Sequence, residues 1–495
     1  MQKLQKGEND LRTVSAKKNY LYNLAYQLVT ILTPIITTPY VSRVLTANGV
    51  GQASFTTSLI TYFVLFASLG FAIYAQREIA KNIGNKEEQT KIFWEVNICK
   101  ILSVALALAV NVVLILTGVY AGNGTLMLIL CINIIAVALD ISFMYQGNED
   151  FGKLAITNIV CKLLMTVAIF LFVKMSNDVW IYVLINSLGL FLGYFVMWFF
   201  LGKFICKIDI KQLKPFRHLK GSLILFIPAI TITLYTVLDK SMIGFITNSN
   251  AENGIYEQAN KIAQIALTIV TCMGAVMIPR NSKNYKEGNL EAVKQNIYKT
   301  MHFMWILSIP MCLGMAVVAS NFIPWFLGED FYGSIRIIQV FSLLFIFVGF
   351  SNVIGIQYLL PTLQDKKYTI GIFAGAIINV CINIPLIYFF GALGASIATV
   401  ISELTVSIVM FYLVRKEVSF KETFKTIFKP LTAGLVMFCV IFPLSMLLSS
   451  TILNTFIIVF AGMFVYAVMI FALKDDLAIS LTKQFYQKIF KRNSN

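Results

Sequence analysis

The sequence predicts an all-α polytopic membrane protein with about 14 transmembrane helices, arranged as two six-helix lobes plus two C-terminal helices. Three observations support this fold class. The 495 residues are 58% hydrophobic, with a mean hydropathy of +0.77. Only 13% of them are charged, against roughly 25% in soluble domains. The basic residues lie in short segments between long apolar runs, which is typical of a chain that crosses a membrane repeatedly.

The apolar runs give the individual elements, because a helix needs roughly 20 residues to cross the hydrocarbon core. The predicted spans lie near 19–42, 51–76, 92–118, 125–146, 154–174, 179–201, 221–246, 255–278, 297–320, 333–358, 367–390, 392–414, 427–448 and 452–473. The runs are continuous and lack the alternation of a transmembrane β-barrel. No loop exceeds about 20 residues, which leaves no room for a soluble catalytic domain. We therefore expect a protein that acts within the membrane and is not an enzyme.

Charge predicts the orientation. With the N-terminus inside, the inner segments hold 33 of the 40 lysines and arginines, and the outer segments hold three, namely Arg43, Lys174 and Arg336. This asymmetry places both termini in the cytoplasm, and the bacterial cytoplasmic (inner) membrane is the simplest location. It also explains the net charge of +16 as juxtamembrane charge facing anionic lipids, so membrane lipids and not nucleic acid are the expected partners.

A weak internal sequence repeat predicts the two lobes. The first span carries Arg43 before a Gly49-Val50-Gly51 turn, and the seventh carries Asp239 and Lys240 before a Gly254-Ile255-Tyr256 turn. Two parallel halves of this kind belong to rocking-bundle transporters, although prolines in both spans can also coincide by chance. The predicted regions are a cytoplasmic segment 1–18, an N-lobe 19–220, a C-lobe 221–415, the last two helices within 416–473, and a cytoplasmic tail 474–495.

Charged residues within the spans are the candidate functional residues, since each costs at least about 2.5–3.5 kcal/mol at the bilayer centre. Five are basic and four are acidic, which makes the lining slightly cationic and suits a phosphate-bearing substrate better than a cationic drug. They are Arg43, Lys100, Lys162, Lys240 and Lys261, with Asp140, Asp239, Glu257 and Glu403. The eight cysteines are scattered and there are two histidines, so neither a disulfide nor a metal site is expected.

Each grouping of these charges keeps two interpretations open. Glu257 and Lys261 share a helix face at i, i+4 spacing, as an internal salt bridge or as part of a cationic lining for an anionic head group. Lys100, Asp140 and Lys162 lie at similar depth, where a Lys162–Asp140 structural pair competes with a ligand role. Glu403 is a candidate ion or proton site, or a protonated and hydrogen-bonded carboxyl.

Four blocks in this order resemble the polysaccharide flippases of the multidrug/oligosaccharidyl-lipid/polysaccharide (MOP) exporter superfamily, over residues from about 17 to 415. The blocks are Pro39 to Leu45 with Gly49-Val50-Gly51; Gly70 to Ala80; Leu238 to Gly244 with Gly254 to Ala259; and Gln357 to Pro361 with Lys367, Tyr368, Asn379, Asn383 and Gly391 to Ala395 through Glu403. One departure is Thr46-Ala47-Asn48, where the family usually has a glycine soon after the leucine.

The resemblance implies a twelve-helix, two-lobed core with two further helices. It implies translocation of an undecaprenyl-diphosphate-linked oligosaccharide, the repeat unit of an O-antigen or capsule, from the inner to the outer leaflet by alternating access. The polysaccharide polymerase and the chain-length machinery are candidate partners.

The charged residues take hypothetical roles in this scheme. Arg43, Lys240 and Lys261 contact the diphosphate, and Lys100 and Lys162 lie nearer the side on which substrate loads. A second set couples transport to sodium ions or protons: Asp239, Glu257, Glu403 and Asp140. No cofactor is expected.

Three rival functions remain open from the sequence. A drug exporter of the same superfamily is expected to favour acidic lining residues. A flippase for lipid-linked peptidoglycan precursor is expected to be essential for growth. A polysaccharide polymerase usually needs a large external loop with catalytic arginines or histidines, and this sequence has no such loop.

Overall fold

The computed structural model describes residues 2–120, 122–480 and 482–483. Within that part of the chain the structure is helical and has no strands, which confirms the fold class. The first eight helices are α1 Gln2–Ser68, α2 Phe71–Lys81, α3 Lys86–Leu116, α4 Gly124–Leu139, α5 Ser142–Gly147, α6 Phe151–Phe172, α7 Val179–Trp198 and α8 Leu219–Thr247. The remaining nine are α9 Asn250–Thr271, α10 Met273–Lys286, α11 Leu290–Phe326, α12 Gly333–Phe341, α13 Leu344–Ser351, α14 Asp365–Val414, α15 Phe420–Phe424, α16 Phe428–Leu447 and α17 Ile452–Ala472.

Two helices are too long to be single crossings. Helix α1 has 67 residues and α14 has 50, so at 1.5 Å per residue each far exceeds a hydrocarbon core about 30 Å thick. Each contains one residue with non-helical dihedral angles, Thr46 (φ 61°, ψ 177°) in α1 and Gly391 (φ 58°, ψ −135°) in α14. Each long helix therefore consists of two segments that join at one residue, between predicted spans 1 and 2 in α1 and between predicted spans 11 and 12 in α14.

Among the residues that the structure describes, ten helical stretches are long and apolar enough to cross a membrane, or eleven if the bent pair α9 and α10 is one span. Two of the ten are the kinked stretches Leu24–Lys81 and Asp365–Val414, each long enough for two crossings. The apolar helix α8 has 29 residues and lies outside these candidates. Counting both kinked stretches twice and adding α8 and the bent pair gives the number of spans that the sequence predicts.

Side-chain caps start several helices where they enter or leave the apolar region. The Asn85 side chain accepts a hydrogen bond from the Glu88 amide at 3.1 Å at the start of α3, and the Asn289 side chain accepts one from the Ala292 amide at 3.0 Å at the start of α11. Each cap satisfies one of the backbone N–H groups that a helix leaves unpaired at its N-terminus. These caps define where α3 and α11 begin.

The chain forms two compact units, one of residues Met1–Gly244 with Ser249–Gly254, and the other of Phe245–Asn248 with Ile255–Asn495. The first unit extends past the predicted lobe boundary at residue 220 and includes most of α8. The two lobes as bodies that move during transport stay a prediction. The core of the first unit contains Phe71, Phe93 and Phe143, and that of the second contains Trp305 and Phe345.

Gly51 and Gly254, from the two similar turns in the sequence, make close backbone contacts inside the first unit. A methyl group added to Gly51 would lie 1.6 Å from the Asn250 carbonyl oxygen, and one added to Gly254 would lie 2.0 Å from the Ala47 carbonyl oxygen. No side chain fits at such distances, so the start of α9 packs backbone to backbone against α1. The glycine turns that define the internal repeat are therefore also a packing contact.

Candidate functional site

One intramembrane cation stabilises a break between α4 and α5. The Lys100 ammonium donates a hydrogen bond to the Asp140 carbonyl oxygen and lies 5.3 Å from the centroid of the Phe143 ring. The Asp140 carboxylate accepts a hydrogen bond from the Ser142 amide at 2.9 Å. A carbonyl freed by a helix break in the membrane needs a donor, and Lys100 supplies it. Lys100 and Asp140, which lie at similar depth in the sequence, thus meet through the Asp140 backbone oxygen and not through its carboxylate.

The hypothetical Lys162–Asp140 ion pair is wrong. Within the described residues, the Lys162 ammonium donates to the Thr30 hydroxyl at 3.4 Å and lies 6.0 Å from the centroid of the Tyr26 ring. Sequence depth suggested the pair, but α6 directs Lys162 toward α1. Lys100 is 2% exposed and Lys162 is half-buried, so only Lys162 remains partly accessible to a ligand in this conformation. The substrate-binding roles of both lysines stay predictions.

A cavity of about 480 Å³ lies beside Lys162 within the first unit. Its lining is rich in amide and hydroxyl groups and contains no charged side chain. The lining residues are Tyr26, Gln76, Ser142, Gln146, Phe151, Leu154, Ala155, Asn158 and Tyr194. Sequence reasoning missed this cavity because its polar residues come from five different helices and none of them is charged, so no spacing pattern linked them.

The other candidates of the first unit lie near the end of α8 and before the kink in α1. Asp239 is 4% exposed and Lys240 is half-buried, while Arg43 is exposed three residues before Thr46. The Lys240 carbonyl oxygen accepts a hydrogen bond from the Asn253 side chain at 2.7 Å, which holds the end of α8 to the start of α9. The Arg43 side chain is therefore in contact with the surroundings of the protein.

In the second unit, the i, i+4 salt bridge predicted for α9 is confirmed. The Lys261 ammonium lies 3.2 Å from a carboxylate oxygen of Glu257, and the Lys261 side chain keeps 32% of its surface exposed. Glu403 in α14 is half-buried and lies within electrostatic range of Tyr368. Whether Glu257 and Glu403 exchange ions or protons stays a prediction.

Two carboxylates, one buried and one half-buried, hold the loops after α7 and α14, and the sequence did not indicate either of them. Glu95, 1% exposed, accepts hydrogen bonds from the Lys214 amide at 2.6 Å and from the Arg217 side chain at 2.7 Å, and its carboxylate lies 2.7 Å from His218. This cluster fixes the segment between α7 and α8. Its members are far apart in sequence, so no local motif connects them.

Glu417 holds the loop that follows α14 in a similar way. Its carboxylate pairs with the Lys367 ammonium and accepts hydrogen bonds from Tyr358 and Gln364, each at 2.8 Å. Burial raises the pKa of the Glu417 carboxyl, but the hydrogen bonds from Lys367, Gln364 and Tyr358 outweigh it and hold the pKa below its usual range. Glu417 is therefore ionised at neutral pH and holds the loop through its charge.

Comparison with known proteins identifies the family. The family model "Polysaccharide biosynthesis protein" matches residues 16–285, which is more than half of the chain. The chain belongs to the polysaccharide biosynthesis protein family. One relative, the "Putative O-antigen transporter" of Escherichia coli (strain K12), is 24% identical over 81% of this chain and 97% of its own length. The resemblance noted in the sequence is thereby confirmed.

Solved structures show the same fold. "Lipid II flippase MurJ, inward closed conformation" superposes with a TM-score of 0.71 at 16% identity, over 94% of this chain and 100% of that one. A multidrug resistance MATE family transporter of the MOP superfamily, in an inward-facing conformation, gives a TM-score of 0.58 at 15% identity, over 79% of this chain and 98% of that one. The family member described here is thus a multi-pass membrane protein with the fold of the MOP superfamily.

Proposed function

We propose that this protein is a flippase that moves undecaprenyl-diphosphate-linked oligosaccharide repeat units from the inner to the outer leaflet of the bacterial cytoplasmic membrane. The observation that carries the proposal is the match to the O-antigen transporter along nearly its whole length, within a polysaccharide biosynthesis family. The names of the relatives describe transport, and we propose no enzymatic activity for this chain.

The physical task explains why charged residues lie within the spans. Sugars and a diphosphate must cross hydrocarbon while the lipid tail stays in it, so the polar part needs a solvated, cationic route. Alternating access of two lobes supplies such a route without opening a continuous pore. Arg43 is exposed, and Lys240 and Lys261 are partly so, which fits the proposed contact between these three residues and the diphosphate.

The Glu257–Lys261 salt bridge suggests how the coupling works. In the proposed cycle, a phosphate draws the Lys261 ammonium away from Glu257, because a doubly charged anion competes well with a single carboxylate for one ammonium group. Glu257 then takes up a proton or a sodium ion, and release of substrate restores the pair. Asp239 and Glu403 are proposed to act in the same way, whereas the Asp140 carboxylate caps the turn before α5.

We further propose an orientation of the protein in the membrane and the partners that use its product. Both termini lie in the cytoplasm, as the distribution of lysine and arginine predicts. The exported repeat units supply a polysaccharide polymerase and its chain-length machinery on the outer side. The roles proposed for Arg43, Lys240 and Lys261 depend neither on the orientation of the chain nor on these partners.

Arg43→Ala, Lys240→Ala and Lys261→Ala test the function in cells that depend on this protein for surface polysaccharide. Each change is expected to reduce surface polysaccharide at least tenfold and to cause lipid-linked precursor to accumulate, both measured at equal amounts of membrane-inserted protein. Lys283→Ala is the matched control, because Lys283 is exposed and pairs only loosely with Glu287 at 3.8 Å. Normal export by all three variants would remove these residues from the site.

The same strains separate the rival functions. Restored growth of cells that lack their peptidoglycan-precursor flippase would favour that rival, and resistance to organic cations would favour a drug exporter. The proposal expects neither outcome. It expects surface polysaccharide alone to depend on the chain.

A further inference from the structure

The cavity beside Lys162 is enclosed by polar side chains that have no protein partner. Among the described residues, no hydrogen bond within the protein involves the side chains of Tyr26, Gln76, Ser142, Gln146, Asn158 or Tyr194. All six residues are half-buried, so water or a ligand can reach their polar atoms, and several convergent polar groups around one concave space are typical of a ligand site. Six such groups around one space therefore indicate a site that is completed by something polar.

The chemistry of the lining specifies what that ligand is. Each tyrosine offers an apolar ring face and a hydroxyl group, and each amide offers both donors and acceptors. A pyranose ring presents the complementary pattern, with C–H groups on its faces and hydroxyl groups at its edge. Among the described residues, no acidic or basic side chain lines the cavity, so the lining suits a neutral or N-acetylated sugar.

The size of the cavity fits this ligand. Its volume of about 480 Å³ falls within the roughly 300–1,000 Å³ range of small-molecule sites. A mono- or disaccharide fills such a space, whereas a whole repeat unit does not. The cavity can therefore hold only the part of an oligosaccharide nearest to its attachment point.

The position of Lys162 adds a phosphate contact. Phe151, Ala155, Asn158 and Lys162 follow one another at spacings of four, three and four residues on one face of α6, and the first three line the cavity. The ammonium lies one helical turn beyond Asn158, and within the described residues its only hydrogen-bond acceptor is the neutral hydroxyl of Thr30 at 3.4 Å. Its charge is thus not neutralised by a carboxylate.

The order along α6 matches a lipid-linked sugar in the inner leaflet. The helix begins at Phe151, next to the segment that the charge distribution places in the cytoplasm, and Lys162 lies deeper in the membrane. A lipid-linked sugar has its tail toward the bilayer centre, its phosphates next and its sugar outermost. Lys162 and the cavity present a cation and then a sugar-shaped space in the same order.

We infer that this cavity is a loading site for the neutral sugar next to the diphosphate, with Lys162 binding the phosphate. The inference rests on the proposed function, since it names part of the same substrate. It adds a recognition element within the first unit that depends on amide and hydroxyl groups, separate from the intramembrane cations Arg43, Lys240 and Lys261.

Binding of two probes to the purified full-length protein tests the site. One probe is a short isoprenoid diphosphate, and the other is the same compound carrying a single N-acetylglucosamine. We expect the glycosylated probe to bind about tenfold more tightly, because the sugar forms new hydrogen bonds with the cavity lining. Gln146→Ala, Asn158→Ala and Tyr194→Phe are each expected to weaken the glycosylated probe about three- to tenfold and to leave the bare diphosphate unchanged.

Three further variants complete the design. Lys162→Gln is expected to weaken both probes to a similar degree. Ala155→Leu fills the cavity and is expected to bring the glycosylated probe down to the affinity of the bare one. Asn186→Ala is the matched control, because Asn186 is an amide of α7 whose side chain donates to the Tyr182 carbonyl at 2.7 Å, away from the cavity.

The outcomes separate this inference from the proposed function. If the wild-type protein binds neither probe, the proposed function fails. If it binds both but the cavity variants keep the wild-type ratio between them, the loading site is wrong and the flippase proposal stands. Monodisperse elution and an unchanged unfolding midpoint are required of each variant, and Tyr194→Phe, which removes one oxygen atom, is the least disruptive of them.

Discussion

Half-buried polar side chains around a cavity of the first unit and a buried amide of the second unit differ in their hydrogen bonds. In the first unit, the amides and hydroxyls around the Lys162 cavity have no partner within the described residues. In the second unit, Asn281 donates to the Gln357 carbonyl oxygen at 2.8 Å and accepts from the Asn296 amide at 3.0 Å. The difference separates polar groups that await a ligand from polar groups that hold the fold, and substitutions can distinguish the two.

The cavities of the two units also differ in the polarity of their linings. The second unit has a cavity of about 540 Å³, lined by apolar side chains and Tyr466. The Tyr466 hydroxyl already donates to the Ile306 carbonyl oxygen at 2.9 Å, so this lining offers no unpaired polar group in the way that the first cavity does. Of these two cavities, the one in the first unit is therefore the candidate for polar recognition.

Asn281→Leu is expected to have the largest effect, a loss of about 3 kcal/mol of stability. The change leaves the Gln357 carbonyl, in the π-helical segment Asn352–Leu359, and the Asn296 amide without partners, and each orphaned group costs about 1–3 kcal/mol. Asn158→Leu in the first unit is the matched change and is expected to stay within about 0.5 kcal/mol. Thermal unfolding in one detergent compares them, and equal losses would remove the distinction between the units.

Glu417→Ala is expected to cost about 2 kcal/mol, because it strips the Tyr358 hydroxyl and the Lys367 ammonium of their acceptor. Tyr358 is fully buried, so water cannot easily replace the carboxylate. Tyr194→Phe removes a hydroxyl from the first unit and is expected to leave the unfolding midpoint unchanged. A clear destabilisation by Tyr194→Phe would show that its hydroxyl supports the fold.

A smaller effect, about 1 kcal/mol or less after solvent screening, is expected from pH. The pKa of Glu417 is lower in the folded protein than in the unfolded chain, so the stabilisation is fully present above the unfolded value of about 4.3. It is lost as the pH falls through the lowered folded value. Glu417→Gln is expected to flatten the unfolding midpoint between about pH 5 and pH 3 relative to the wild type. Parallel curves for the two proteins would contradict this assignment.

The sequence predicted the helices well because each depends on a local property, an apolar run long enough to cross the membrane. It also predicted the Glu257–Lys261 pair, which is set by spacing on one helix. The kink at Thr46 was not predictable in the same way. A β-branched residue is an unfavourable choice for φ 61° and ψ 177°, so no local preference marks this position.

Much of the candidate site was beyond the reach of sequence patterns. The cavity takes Gln76 from α2, Gln146 from α5 and Tyr194 from α7, and only the tertiary fold brings them together. The Lys162–Asp140 pair failed for the related reason that equal depth does not fix the direction in which a side chain points. Charged residues stand out in the sequence. The neutral amide side chains that line the cavity do not, although they offer the more specific hydrogen bonds.

The contact between Lys100 and the Asp140 carbonyl has a consequence for biogenesis. Helix α3 leaves the ribosome before the residue 40 positions later that accepts its ammonium group, so the lysine first meets the bilayer without its partner. Insertion of a lone lysine costs roughly 2.5–3.5 kcal/mol, which the rest of a strongly apolar helix can bear. We expect α3 to stay beside the insertion machinery until α4 arrives, so that these two helices enter the lipid as a pair.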